Sequence, residues 1–134
     1  MGNRVTGTFD VKITPQAAEA HLEAAQVGRM HLDKQFNGAL DATSKGVMLA
    51  TSGSVKGSAG YVAIERVTGT LDGRSGSFAL QHNGTMDRGA PSLTISVVPD
   101  TGTDALEGIS GSMSIEITGG VHYYTFDYSL PRTT

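Results

Sequence analysis

Apolar and polar residues alternate with a period of two over most of this chain, the spacing of strands that bury one face. In the first run Val5, Phe9, Val11 and Ile13 fall on one side, with Thr6, Thr8, Asp10 and Lys12 opposite. Pro15 is expected to close that strand. Residues 17–25 form the one helix-compatible stretch. They lack a strong apolar stripe, which predicts a short surface helix or a loop. A second strand is predicted over 28–36, followed by Asn37-Gly38, a strong short hairpin signal. A third covers about 40–50, where Gly46 marks an expected bulge. Residues 52–60 read as loop by composition.

The middle of the chain reads as a long hairpin, 61–71 and 76–86 around Asp72-Gly73-Arg74-Ser75. Pairing Leu71 with Gly76 puts Val67 opposite Leu80, Gly69 opposite Phe78 and Glu65 directly opposite His82. All of these share one face. Gly89-Ala90-Pro91 turns the chain into a sixth strand at 93–98, ended by Pro99. In the last hairpin Ile109, Met113, Ile115 and Ile117 share a face. Gly119-Gly120 then turns the chain into a strand whose inner face carries His122, Tyr124, Phe126, Tyr128 and Leu130. The predicted register sets His122 beside Ile117 and Tyr124 beside Ile115. Eight strands with short connections and no crossover helices predict one all-β domain over residues 1–134. The expected architecture is a closed antiparallel eight-stranded barrel, with room inside for side chains and at most a small ligand.

Composition narrows the function classes. The 134 residues include 18 glycines and no cysteine, which excludes disulfides, zinc thiolates and a thiol nucleophile. Net charge is −3 and the ten Lys and Arg residues form no patch, so nucleic acid is not an expected partner. The start of the sequence lacks the apolar core of a signal peptide, and no run is long enough to span a membrane as a helix. A cytoplasmic protein without a membrane partner is expected.

Candidate chemistry is confined to polar residues on inward faces. No nucleophile elbow, phosphate loop or dinucleotide fingerprint occurs, and Gly73-Arg74-Ser75-Gly76 reads as a hairpin turn. The four histidines never fall at metal-ligand spacing, and no cofactor is expected. A buried carboxylate needs a partner, and His82 is the one predicted for Glu65. That pair is either a cross-strand lock on the register or the catalytic base and its partner in an interior pocket. His122, Tyr124, Tyr128, Met113 and Phe78 would line such a pocket. Lys34, opposite Asp41 across a tight turn, reads either as a surface ion pair, the favoured alternative, or as a pocket ammonium.

Several runs carry a resemblance: Lys34-Gln35-Phe36-Asn37-Gly38, residues 60–71, residues 73–84 and Val97-Val98-Pro99-Asp100-Thr101-Gly102-Thr103. With Leu106-Glu107-Gly108 and Phe126-Asp127-Tyr128, these resemble a bacterial single-domain family of unknown function. The resemblance implies the barrel of allene oxide cyclase, also seen in dirigent proteins and in cyclases that fold polyketide chains. It implies binding of a small, largely apolar molecule, with isomerase or cyclase activity as one outcome. The other is a non-enzymatic module that assembles as a dimer or trimer through its outer faces. The likeness to allene oxide cyclase is one of fold, and none of its catalytic residues is carried over.

Overall fold

A computed structural model describes residues 2–17 and 24–131. Eight antiparallel strands close into one barrel in chain order. They are β1 (Gly2–Gln16), β2 (Gly28–Gly38), β3 (Leu40–Ser52), β4 (Ala59–Leu71), β5 (Arg74–Asp87), β6 (Ala90–Val97), β7 (Ser110–Thr118) and β8 (Val121–Ser129). The closing seam is β1 against β8, from Gly2↔Ser129 to Phe9↔His122. A 3-10 turn at Asp104–Leu106 lies in the β6–β7 connection. The helix-compatible stretch at 17–25 falls largely outside the described residues. Among those described, no helix is long and apolar enough to cross a membrane.

The two-residue alternation is realised along the strands, interrupted on β5 where Phe78, Ala79 and Leu80 are all buried, and details of pairing differ from the sequence expectation. β1 runs through Pro15, which pairs with Met30. Proline is tolerated there because the ladder with β8 ends at Phe9, leaving one edge of β1 without a strand to bond. β3 pairs with β4 in one unbroken register from Leu40↔Leu71 to Ser52↔Ala59, so Gly46 is not a bulge. Gly46 stands directly opposite Glu65, and a Cβ on it would lie 2.7 Å from the Glu65 Cβ. The glycine lets the two strands curve closely together at that point.

The β4–β5 hairpin is tighter than expected. Asp72 (φ 49°) and Gly73 (φ 80°) make a two-residue turn with both central residues left-handed, so Leu71 pairs with Arg74 rather than Gly76. Every pair shifts by two residues: Glu65 faces Leu80, and His82 faces Ala63. A shift of two preserves the face, so Glu65 and His82 remain inward. The β2–β3 connection is wider than the expected tight turn. Phe36 pairs with Ala42 and Lys34 with Ser44, not Asp41. The Tyr124 hydroxyl holds this turn open, accepting from Leu40 N–H at 3.1 Å and placed to donate to Asn37 O at 3.0 Å. On β6 the turn falls at Arg88-Gly89, and the strand begins earlier than expected, at Ala90.

The interior is unevenly filled. Toward the end carrying the β2–β3, β4–β5 and β6–β7 connections, Phe36, Leu40, Leu71, Phe78, Leu80, Phe126, Tyr124 and Leu106 are buried in one core. Phe78 and Phe126 stack there at 5.6 Å. At the opposite end the same inward rows become accessible. Ile13, Leu93 and Ile117 are 48, 42 and 64 % exposed although each continues the row of a buried residue. Met30, Met48, Tyr61 and His122 beside them are half-buried. Among the described residues the barrel is cup-like, packed at its base with its inward apolar rows accessible at its mouth.

Candidate functional site

Between base and mouth lies a layer of polar side chains. Alternation along β2, β3, β4 and β5 turns Lys34, Ser44, Glu65 and His82 inward, and all four are buried. Glu65 is fully buried and is the hub. Its Oε1 accepts from Ser44 Oγ at 2.6 Å. Its Oε2 accepts from Lys34 Nζ at 2.8 Å and lies 2.5 Å from His82 Nε2. Burial alone would raise the Glu65 carboxyl. The hydrogen bond from His82, the charge and hydrogen bond of Lys34 and the hydrogen bond of Ser44 outweigh it and hold the group down at about 2. Glu65 is therefore ionised at neutral pH.

An ionised Glu65 fixes the rest of the chain. His82 Nε2 must carry the proton it shares with the carboxylate, and in the tautomer protonated there Nδ1 is an acceptor. The Tyr61 hydroxyl lies 3.3 Å from that Nδ1 and in this tautomer is placed to donate to it. Burial, and then the charge of Glu65, raise the Tyr61 phenol above its ordinary value, so it remains protonated. Its ring sits over Gly84, where a Cβ would come within 2.4 Å of Tyr61 Cε1. Tyr61 thus carries the network from the buried layer into the mouth. Lys34 Nζ also lies 4.9 Å from the Phe9 ring centroid and 5.8 Å from that of Phe36, a cation packed against aromatic faces.

The structure brings together Glu65, His82 and Lys34 of the residues singled out from the sequence. Lys34 corrects the expected surface pair with Asp41: the wider turn moves its partner to Ser44, and only 8 % of the residue is exposed. The other candidates lie elsewhere. His122 packs on Phe9 near the mouth with ring centroids 5.0 Å apart. Tyr124 fastens the β2–β3 turn. Tyr128 donates to Asp72 in the β4–β5 turn, and burial together with that carboxylate pushes its phenol up to about 12. Phe78 and Met113 belong to the packed core. Sequence reasoning missed Ser44 and Tyr61. Tyr61 was accessible to it, because 61, 63 and 65 share a face by the alternation that placed Glu65. Ser44 was harder, since the two faces of β3 differ little in polarity.

Among the described residues, no group of three His, Asp or Glu side chains could hold a metal ion. No curated protein matches the chain. A family model described as a protein of unknown function (DUF3224) matches residues 5–128. A crystal structure of a DUF3224-family protein of unknown function from Shewanella oneidensis MR-1 is similar throughout. It shares 48 % identity, with a TM-score of 0.91 over 98 % of this chain and 100 % of that one.

Proposed function

The chain belongs to the DUF3224 family, and we propose that its barrel is a cup that binds a small, largely apolar molecule at its open mouth. One observation carries this. Inward rows that are buried at the base end in accessible Ile13, Leu93 and Ile117 at the other end. Large apolar side chains that face a barrel lumen yet remain open to solvent are the lining of a binding site. The Glu65 layer forms the floor. Holding a flexible chain in one conformation is also what a cofactor-independent isomerase or cyclase requires, and that is the activity this reading carries. Held at about 2, Glu65 is too weak a base for proton abstraction at neutral pH; its part is to anchor Lys34 and His82. The absence of cysteine suits a cytoplasmic location.

A second reading, a homo-oligomeric module, is favoured by the outer surface of β3 and β4. There Val47 pairs with Ile64 and Leu49 with Val62, and all four are exposed. One experiment addresses both. The purified protein is mixed with a medium-chain methyl ketone, then followed by native mass spectrometry and amide chemical shifts. The cup reading expects a retained ligand, with shifts at Ile13, Met48, Tyr61 and Ile117 and none at Leu40 or Leu71. No retention, or shifts confined to Val47, Leu49, Val62 and Ile64, would overturn it. The same spectra count the subunits: only monomers would sink the second reading.

A further inference from the structure

Resting on the cup reading, we infer that the floor selects a ligand whose polar end is an uncharged acceptor oxygen, a carbonyl in the first instance, and rejects both carboxylates and amines. The inference comes from how the floor distributes charge and protons. Lys34 and Glu65 are its two ions, in contact at 2.8 Å and both buried, and they cancel. His82 has both ring nitrogens engaged, Nε2 with Glu65 at 2.5 Å and Nδ1 with Tyr61 at 3.3 Å. A ligand carboxylate set beside this layer would add an uncompensated negative charge next to the buried Glu65. An ammonium would do the same next to Lys34. Either is disfavoured unless new partners compensate it.

The floor does have hydrogen-bonding capacity to spare, and at Lys34 it is donor capacity. An ammonium has three N–H donors. Lys34 gives one to Glu65, and its Nζ also lies against the faces of Phe9 and Phe36. A carbonyl oxygen takes an N–H of Lys34 without disturbing the ion pair. With its proton on the His82 side, the Tyr61 oxygen adds an acceptor on the mouth side. An enol or hydroxyl tautomer of the ligand would find a partner there. The apolar remainder of the ligand would lie along Met30, Met48 and Ile117.

The test is a matched series of probes on one saturated straight chain, ending in a methyl ketone, a carboxylate or a primary ammonium. Titration calorimetry with the intact protein at neutral pH is expected to show the ketone bound more tightly than either ion by about tenfold or more. In Glu65→Gln the ammonium of Lys34 loses its counter-ion, and the preference should reverse toward the carboxylate. A carboxylate or amine bound as tightly as the ketone by the wild-type protein would overturn the inference and leave the cup standing. Failure of all three probes to bind would remove the cup reading, and this inference with it. The wild-type series decides the matter even if Glu65→Gln does not fold.

Discussion

The two ends of this barrel are built from the same alternating strands and differ in what fills them. At the base, inward positions carry Phe36, Phe78, Phe126, Leu71 and Leu40, and the rings close the lumen completely. Toward the mouth the inward positions beside the polar layer are Gly46, Ala63 and Gly84, and the large side chains beyond them are left partly in water. Interiors packed to crystalline density are the rule in folded domains. A row of apolar residues that passes from full burial to 64 % exposure at Ile117 within one strand pair therefore marks a division of labour. The base supplies the stability of the fold. The mouth leaves part of its apolar surface in water, and in the proposed reading that surface is what a ligand would contact.

The comparison is broken most severely by emptying the base. Phe126→Ala removes a ring that stacks on both Phe78 and Tyr128 at 5.6 Å and has no accessible surface. The expected cost is about 4 kcal/mol, read as a lower midpoint in denaturant unfolding. A loss under about 1 kcal/mol would mean that the base is not a close-packed core.

The polar layer between the two ends should show a different signature. Lys34→Met leaves Glu65 ionised, buried and short of its cation, at an expected cost of about 3 kcal/mol. Lys34→Met combined with Glu65→Gln removes both charges and should recover much of that loss, as a double-mutant cycle would show. The same pair sets an acid limit. The folded-state carboxyl lies at about 2, below its ordinary 4.5, so its stabilisation is complete above pH 4.5 and is lost as pH falls toward 2. Wild-type stability should fall more steeply across that window than that of Glu65→Gln. Parallel pH profiles would show that Glu65 is not held as an ion.

How much of this was readable from the chain follows from what a period of two can and cannot encode. Alternation fixes faces, so the inward set of β4, β5 and β8 was legible, together with the eight strands and their closure. Pairing between strands depends on turn geometry. There Asp72-Gly73 and the Tyr124 hydroxyl decided matters in ways that local composition does not display. The consequence differed at two places. In the β4–β5 hairpin a shift of two residues left Glu65 and His82 able to meet. In the β2–β3 hairpin the wider turn exchanged Asp41 for Ser44 opposite Lys34, turning an expected surface pair into part of the buried floor. The openness of the mouth was not legible at all. Ile117 and Met113 look alike in the sequence, and only the closed barrel shows which of them has neighbours across the lumen.

That last contrast gives the smallest effect on stability and the sharpest separation of the two ends. Ile117 is 64 % exposed and Met113 only 5 %, on the same face of β7. Ile117→Ser should change unfolding free energy by no more than about 0.5 kcal/mol, because little of its side chain leaves water on folding. Met113→Ser, four residues away, loses buried apolar contact and adds a hydroxyl to the core, and should cost several times as much. Ligand retention should show the opposite order. Ile117→Ser removes apolar surface from the mouth and weakens binding of the methyl ketone several-fold, with the fold intact. If Ile117→Ser costs as much stability as Met113→Ser, the mouth is packed core and the two ends are not different in kind. If it leaves both stability and binding untouched, Ile117 is no part of the proposed binding surface.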